Sequence, residues 1–184
     1  PSFQAGEMKL VILDRDVTIN HESDHHIKSP AQWRPIPGTL EAIGALNQRG
    51  YRVVVATNQS GIGRGLLDMA AFNAINDKMT RLLSQVGGRI DAVFYCPHAG
   101  DAHCECRKPK AGMLREIGRR FNSGFKEVPA VGDALRDLQA AHDVGAIPVL
   151  VTTGKGKATL KEGNLPPQTQ VFDDLADFAR SLTG

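Results

Sequence analysis

Short runs of apolar residues recur along the chain, and longer segments of helical periodicity separate them. The runs lack the polar alternation of a half-exposed strand, which is typical of strands buried on both faces of a sheet. Alternating strands and helices predict βαβ crossovers, so we expect an α/β fold with a mainly parallel sheet in a three-layer sandwich. The predicted strands are 9–13, 51–56, 91–95, 128–131 and 147–151, with a short edge strand at 170–172.

Amphipathic patterns fill the intervals between the predicted strands. In the longest of them apolar residues recur over 69–86, with Asp68 placed as the N-cap and a pair of glycines from Gly87 as the stop. Segment 155–168 is rich in Gly, Lys and Pro, so we expect an exposed loop there. The predicted helices are 40–46, 69–86, 114–121, 135–144 and 172–182.

The length of 184 residues fits one domain with a sizeable core, so we treat 1–184 as a single domain. A net charge of +2 gives no electrostatic reason to expect a nucleic-acid or membrane partner, and no apolar stretch approaches the roughly 18 residues of a membrane span. Residues 1–7 lack the features of a secretory signal, so we expect a cytoplasmic protein. Met8 directly precedes the first apolar run, so we expect residues 1–7 to be a leader or an added segment. No segment is long enough for a large cap domain, and together with the modest charge this favours a monomer.

Carboxylate side chains stand directly after two of the predicted strands. Asp14 and Asp16 follow the first strand, and Asp133 follows the fourth. The carboxyl ends of parallel strands meet at one edge of the sheet, where ligands bind in such folds. Carboxylate oxygens are the ligands that Mg²⁺ prefers. Each cluster alone is equally well explained as a charged loop or as an Asp at a helix N-terminus, but together they predict a magnesium site.

A hydroxyl and a cation accompany these carboxylates. Thr57 follows the second strand and leads towards a glycine-containing turn, where backbone N–H groups suit phosphate oxygens. Lys108 lies in the basic segment 107–110 and would neutralise a phosphoryl group. A polar turn and a solvated basic turn are the ordinary alternatives for these two clusters taken singly. In combination with the carboxylates, they predict a phosphate site beside a metal ion.

These motifs resemble those of the haloacid dehalogenase superfamily of phosphatases. The superfamily's four motifs match Asp14-x-Asp16-x-Thr18, Thr57, Lys108 and Gly132-Asp133-x-x-x-Asp137. The resemblance runs from Met8 to the last helix and implies a flavodoxin-like sheet. It also implies hydrolysis of a phosphate monoester, with Asp14 as the nucleophile and Asp16 acting first as general acid and then as general base.

The same resemblance implies the contacts of the metal and the phosphate. The implied Mg²⁺ ligands are Asp14, the backbone carbonyl of Asp16, and Asp133. Asp137 would support the water shell of the metal, while Thr57 and Lys108 would bind the transferring phosphoryl group. Val17 departs from the pattern, because the superfamily usually has glycine after the second Asp. If that position needs a positive φ, a β-branched residue is strained there.

Three cysteines and two histidines lie close together before Lys108. The candidate zinc ligands are Cys96, His98, Cys104 and Cys106. Three thiolates and an imidazole fit a closed tetrahedral Zn²⁺ site, and three free thiols with a surface histidine are the alternative. His103 competes with His98 as the fourth ligand, and we prefer His98 because it pairs with Cys96. With no coordination position open, the zinc would be structural and would fix segment 96–106, the zinc loop, which leads into Arg107 and Lys108.

The zinc loop narrows the resemblance to two branches of the superfamily. One removes a phosphate from a heptose 1,7-bisphosphate in bacterial surface-sugar (lipopolysaccharide core) biosynthesis, and the other hydrolyses histidinol phosphate. Segment 57–65, with its Ser-Gly and Arg-Gly pairs, is similar to the first branch. The loops 20–37, 59–65 and the zinc loop would hold a small phosphorylated sugar. The expected substrate-binding residues are Asn58, Gln59, Arg64 and Arg107, and a second phosphate would give Arg64 or Arg107 its partner.

Two other classes of protein remain open. A receiver-type phosphorylatable switch shares the sheet, the acidic residues, a Thr and a Lys, but it gains nothing from an acid at Asp16. An inactive sugar-phosphate-binding relative is the second class, and Val17 is its only indication. His21, His25 and His26 crowd the loop after the first strand, and we interpret them as surface residues rather than as a metal site.

Overall fold

Six parallel strands form a sheet at the centre of the computed structural model, which describes residues 9–21 and 26–183. The strands are β1 (Leu10–Leu13), β2 (Arg52–Asn58), β3 (Ala92–Cys96), β4 (Pro129–Gly132), β5 (Ile147–Val151) and β6 (Gln170–Phe172). Their order is β3-β2-β1-β4-β5-β6, and every neighbouring pair is parallel. The predicted strands and the parallel sheet are confirmed. The strand order is the doubly wound 3-2-1-4-5-6 arrangement, which differs from the 2-1-3-4-5 order of flavodoxin itself.

Helices connect the strands and cover the sheet. They are α1 (Thr39–Gln48), α2 (Ser60–Gly63), α3 (Met69–Gln85), α4 (Gly112–Arg120), α5 (Leu135–Asp143), α6 (Gly156–Glu162) and α7 (Leu175–Thr183), with a 3₁₀ turn at Pro30–Gln32. The five predicted helices are confirmed to within a few residues at each end. The Asp68 carboxylate caps α3, because it accepts a hydrogen bond of 2.7 Å from the backbone N–H of Ala71.

The prediction of an exposed loop over 155–168 is wrong in its first half, where α6 forms. Thr159 on this helix is buried, and its hydroxyl donates to the carbonyl oxygen of Asp133 at 2.9 Å. A contact with the sheet edge thus orders a segment whose composition favours a loop. This helix brings its N-terminal end next to the residues that follow β4.

Side chains of the sheet alternate between two core layers. On β1, Val11 and Leu13 face one layer, whereas Leu10 and Ile12 face the other. The first layer packs against α1, α3 and α7, and the second packs against α4 and α5. Both faces of the sheet are covered, which explains why its strands have continuous apolar sequences.

The strands β1 and β4 lie side by side, and the chain winds away from them in opposite directions. A crevice forms outside the carboxyl ends of the strands at such a switch point, and ligands bind there in open α/β sheets. No large cap domain stands over this edge within the described ranges. None of the helices in these ranges is long and apolar enough to cross a bilayer.

Candidate active site

A cleft of about 500 Å³ opens at the carboxyl ends of β1, β2 and β4. Most of the predicted site residues line it: Asp14, Asp16, Thr57, Asn58, Gln59, Arg107, Lys108, Asp133 and Asp137. Arg64 is exposed and does not line the cleft. The structure thus brings side chains from four separate segments of the chain into one site.

Three carboxylates converge in this cleft. Asp14 follows β1, Asp133 follows β4, and Asp137 lies in the first turn of α5, with one oxygen of each within 4.8 Å of the others. Burial raises the pKa of Asp14 to about 7, because it outweighs the opposing charge of Lys108. Burial and the neighbouring Asp137 raise the pKa of Asp133 to about 6. The cluster holds more negative charge than one ammonium group can balance.

Asp133 offers an oxygen for a further ligand. Its Oδ2 accepts a hydrogen bond of 3.0 Å from the backbone N–H of Lys155, next to α6. Its Oδ1 is buried and has no hydrogen-bond partner in the described chain. An unpaired buried oxygen costs about 1–3 kcal/mol unless a ligand satisfies it. The three carboxylates therefore fit a hard divalent cation such as Mg²⁺.

Lys108 reaches the same carboxylates. Its Nζ lies 3.4 Å from Oδ1 of Asp14 and 2.9 Å from Oδ1 of Asp137. Burial alone would lower the pKa of Lys108, but the charges of Asp137 and Asp14 outweigh it and raise that pKa. Lys108 is therefore a buried cation in contact with Asp14, and it can neutralise a phosphoryl group bound there.

Asp137 has a structural role that the sequence reasoning missed. Its Oδ2 accepts a hydrogen bond of 3.1 Å from the backbone N–H of Ala134, while its Oδ1 accepts one of 2.9 Å from Lys108. The same carboxylate thus caps α5 and fixes the lysine. A Cβ atom on Gly132 would overlap this carboxylate, so packing explains the glycine of the fourth motif.

Asp16 and Thr57 are joined through Gln59. The Nε2 of Gln59 donates to Oδ2 of Asp16 and to the hydroxyl of Thr57, each at 3.0 Å. The other oxygen of Asp16 accepts a hydrogen bond of 2.9 Å from Arg15. The Asp16 side chain is 35% exposed, whereas that of Asp14 is 8% exposed. Asp16 therefore lies nearer to solvent than the buried carboxylates do.

Val17 adopts a positive φ of 56°, so the position does need the conformation that glycine favours. The connection between β5 and α6 supports it in two ways. The hydroxyl of Thr153 donates to the Val17 carbonyl at 2.6 Å, and a Cβ atom on Gly154 would lie 2.6 Å from the Cβ of Val17. The glycine leaves the space that the valine side chain fills.

Asn58 ties the end of β2 to the backbone of Lys108. Its side-chain oxygen accepts a 3.0 Å hydrogen bond from the N–H of Lys108, and its amide nitrogen donates to the carbonyl of that residue at 3.2 Å. The neighbouring N–H of Gln59 donates to the Cys96 carbonyl at 2.8 Å. Beside this junction Arg107 lines the cleft, and its Nη1 is buried without a partner among the described residues.

The four predicted zinc ligands form one cluster. The sulfur of Cys96 lies 2.8 Å from that of Cys106 and 3.6 Å from that of Cys104. The His98 Nδ1 lies 3.4 Å from Cys96 and 3.2 Å from Cys106. Three of these separations, from 3.2 to 3.6 Å, approach the roughly 3.8 Å edge of a tetrahedron with Zn–S bonds of about 2.3 Å, whereas the 2.8 Å between Cys96 and Cys106 is shorter. His103 is exposed and lies outside the cluster, so the cluster could hold zinc with His98 as the fourth ligand.

One thiol of the cluster is poised for metal binding. Burial would raise the pKa of Cys104, but hydrogen bonds from the Arg107 backbone and from the other cluster members outweigh it and lower the pKa to about 6. Zinc binds the thiolate form of cysteine. Burial raises the pKa of Cys96 to about 12 and also raises the pKa of Cys106, so zinc would bind these two sulfurs by displacing their protons. The donor set thus agrees with a zinc site.

The cleft also contains residues that the sequence reasoning missed. Arg136 lies inside the fourth motif, so its position was an available signal. Lys155 belongs to the segment expected to be a loop, and only the structure places it at the cleft. His21 and His26 line the cleft as well, whereas His25 lies outside the described residues.

A parallel α/β sandwich with this carboxylate cluster and lysine at its switch point defines a class of hydrolases. A family model described as HAD-hydrolase-like matches residues 105–178. Curated phosphatases match 95% of the chain at 50% and 55% identity. The chain belongs to the haloacid dehalogenase-like family of phosphatases.

The particular relatives are heptose bisphosphate phosphatases. D-glycero-β-D-manno-heptose-1,7-bisphosphate 7-phosphatase of Bordetella bronchiseptica is 55% identical over 175 residues, which cover 95% of this chain and 98% of that one. The protein of the same name in Pseudomonas putida is 50% identical over 175 residues, covering 95% and 99%. A crystal structure of the B. bronchiseptica enzyme, complexed with magnesium and phosphate, has a TM-score of 0.94 and 55% identity, with 95% and 98% covered.

Proposed function

We propose that this protein removes the 7-phosphate of D-glycero-β-D-manno-heptose 1,7-bisphosphate in bacterial surface-sugar (lipopolysaccharide core) biosynthesis. The observation that carries the chemistry is the contact between Asp14 and Lys108 beside two further carboxylates. The similarity to two named phosphatases along nearly the whole chain supports the substrate. Both names specify the β-anomer, so we propose this anomer here.

In the proposed reaction the Asp14 carboxylate attacks the phosphorus atom, and the bond from phosphorus to the sugar oxygen breaks. Asp16 donates a proton to that leaving oxygen. The same side chain then takes a proton from a water molecule, which attacks the aspartyl phosphate and releases inorganic phosphate with Asp14 restored. Lys108 and Thr57 bind the phosphoryl oxygens, and Lys108 reduces the repulsion between the phosphate and Asp14.

The proposed ligands of Mg²⁺ are Asp14, Asp133 and the backbone carbonyl of Asp16, with Asp137 supporting the water shell. When bound there, Mg²⁺ supplies charge neutralisation for the phosphate and the nucleophile. The magnesium and phosphate in the B. bronchiseptica structure support magnesium as the metal. The zinc loop would have a structural role, because all four ligand positions are filled by protein atoms.

Arg107 is the proposed contact for the phosphate that is not cleaved. Its partnerless buried nitrogen at the cleft supports this role, whereas Arg64 is exposed away from the cleft. We expect Arg107→Ala to raise KM for the bisphosphate about tenfold or more, and to raise KM for a heptose monophosphate much less. Arg64→Ala serves as the comparison variant, and equal effects of Arg107→Ala on both substrates would contradict the assignment.

We also infer that the protein acts as a monomer of one domain in the cytoplasm, where its phosphorylated sugar substrate would be made. Size-exclusion chromatography with light scattering tests whether the protein is a monomer.

Asn58 and Gln59 would complete the substrate site from the end of β2, since both line the cleft.

Phosphate release tests the proposed function. We would compare the α- and β-anomers of the heptose bisphosphate with histidinol phosphate, each with Mg²⁺, with EDTA and with the Asp14→Asn variant. We expect preferred turnover of the β-anomer, lost in EDTA and in the variant. Preference for histidinol phosphate would agree with the proposed chemistry but contradict the proposed substrate. A stable aspartyl phosphate without turnover would indicate a receiver-type switch. Binding of the sugar phosphate with neither turnover nor an aspartyl phosphate would indicate an inactive sugar-phosphate-binding protein.

A further inference from the structure

Arg15 is a fully buried cation beside the proposed acid–base residue. Its Nε donates to Oδ1 of Asp16 at 2.9 Å, and its Nη1 donates to the side chain of Asn76 on α3 at 3.4 Å. Its guanidinium carbon lies 5.6 Å from the ring centre of Phe72, on the same helix. A buried guanidinium is costly unless an opposite charge faces it, and Asp16 provides that charge.

Gln59 contacts the second oxygen of the same carboxylate. Its side chain is buried, and its amide nitrogen donates at 3.0 Å both to Oδ2 of Asp16 and to the hydroxyl of Thr57. An ionised carboxylate only accepts hydrogen bonds, so the contact with Asp16 determines which end of the amide faces it. Gln59 thereby links the proposed acid–base group to the proposed phosphoryl-binding hydroxyl.

These two contacts leave acceptor sites on Asp16 for the reaction. A carboxylate has about four lone-pair sites on its two oxygens. Arg15 occupies one site on Oδ1, and Gln59 occupies one on Oδ2. A remaining site on the partly exposed side chain can then carry the proton that passes to the leaving oxygen, and the same site can accept a proton from a water molecule afterwards.

We propose that Arg15 and Gln59 are positioning residues that fix the carboxylate of Asp16 for proton transfer to and from the reacting oxygens. The inference rests on the proposed function, because it assumes that Asp16 protonates the leaving group. It gives Gln59 a role within the protein, beyond the substrate contact expected from the sequence. Arg15 is anchored on α3 and Gln59 on the end of β2, so two elements determine the orientation of one side chain.

Substrates with different leaving groups reveal this role. A sugar alkoxide leaves poorly without a proton, whereas 4-nitrophenolate leaves readily without one. We expect Gln59→Ala to lower kcat for the heptose bisphosphate about 10- to 100-fold, with KM changed less than about threefold. The first-turnover release of 4-nitrophenol from 4-nitrophenyl phosphate should change less than about threefold, since that step needs no acid.

A double-mutant cycle shows whether Gln59 acts through Asp16. In an Asp16→Asn background, Gln59→Ala should cause no further loss, because the group that it positions is already removed. Arg15→Lys retains the charge but loses the guanidinium geometry, so it should produce the same leaving-group pattern with a smaller loss. Gln139→Ala, at an exposed glutamine of α5, is the matched control and should keep wild-type kinetics.

The inference is overturned if Gln59→Ala lowers activity as much in the Asp16→Asn background as in the wild type. Equal first-turnover losses with both leaving groups would overturn it too, because they indicate a general structural defect. These outcomes differ from failure of the proposed function, which would appear as phosphate release by Asp14→Asn, as preference for histidinol phosphate, or as the absence of turnover in the wild type.

Discussion

Val17 illustrates how the conformational cost of a single residue can be offset by its neighbours. A side chain in the left-handed region costs roughly 1–2 kcal/mol relative to ordinary backbone. Here the Thr153 hydroxyl bonds the Val17 carbonyl, and Gly154 provides space for the valine side chain. The active-site loop keeps its conformation because a segment distant in sequence supports it.

We expect Val17→Gly to unfold at a higher temperature than Val17→Ala. Both substitutions remove the contacts of the valine side chain, but only glycine relieves the strain at φ 56°. The difference should be about 1 kcal/mol, or about 2–4 °C in Tm, measured by circular dichroism. At the helical control position Gln139, alanine should be the more stabilising of the two. If alanine were also more stabilising than glycine at position 17, the result would contradict backbone strain at Val17.

The helix α6 matters at the scale of elements, because it orients Asp133. The N–H of Lys155 bonds Oδ2 of Asp133 at 3.0 Å, and Thr159 bonds its carbonyl at 2.9 Å. We expect Thr159→Val to weaken Mg²⁺ binding severalfold and to lower stability by about 1 kcal/mol, through the loss of this hydrogen bond. Calorimetric Mg²⁺ titration and thermal unfolding measure the two effects. Thr159→Ser, which retains the hydroxyl, should stay close to the wild type, and equal losses in both variants would argue against this role.

The zinc loop is the second element whose contribution can be tested. We expect His98→Ala to lose most of its bound zinc and to lower Tm by about 5–15 °C, because structural zinc contributes folding free energy. His103→Ala is the matched control, since this exposed histidine lies outside the ligand cluster. Elemental analysis measures the bound zinc of the two variants, and thermal unfolding measures their Tm. If His103→Ala lost its zinc and His98→Ala kept it, His103 rather than His98 would be the fourth zinc ligand.

The strands and most helices were predictable because their apolar patterns are local properties of the sequence. The helix α6 was not predictable in this way, because it depends on the contact of Thr159 with the end of β4, which orders a Gly- and Lys-rich segment. The motif spacing predicted the carboxylates and Lys108 in one cleft. It gave no indication that Arg15 is buried against Asp16, since a charged residue in a loop is usually solvated until tertiary contacts enclose it.

At the scale of the whole molecule, the carboxylate cluster makes the free energy of unfolding depend on pH. The pKa of Asp14 rises from 3.8 to about 7, and that of Asp133 rises from 3.8 to about 6. A carboxyl group with a raised folded-state pKa binds its proton more tightly in the folded protein. Its stabilising contribution is therefore complete below pH 3.8 and is lost as pH rises towards 6 and 7.

We expect the metal-free protein to lose stability between pH 5 and pH 8 through these groups, by an amount on the order of a few kcal/mol. Mg²⁺ should raise Tm more at pH 8 than at pH 5, because it binds the ionised carboxylates. Thermal unfolding at both pH values, with and without Mg²⁺, measures this. The Asp133→Asn variant should show a smaller dependence on pH and on Mg²⁺. An equal Mg²⁺ effect at both pH values in the wild type would contradict the expectation.

The division of the site between sheet and loop has a consequence for how such an enzyme can diversify. Asp14 and Asp133 directly follow the neighbouring strands β1 and β4, whereas Lys108 is held by Asn58 and by its two carboxylate partners. The stretch 99–103 between the zinc ligands carries none of these attachments to Lys108. Gly100 lies in that stretch close to Arg107, since an added Cβ atom there would be 3.8 Å from the Arg107 Nε. Changes of length or sequence in the stretch can alter the surroundings of this cleft arginine while the hydrolytic centre stays intact, so new substrates can be acquired without changes to the residues that cleave them.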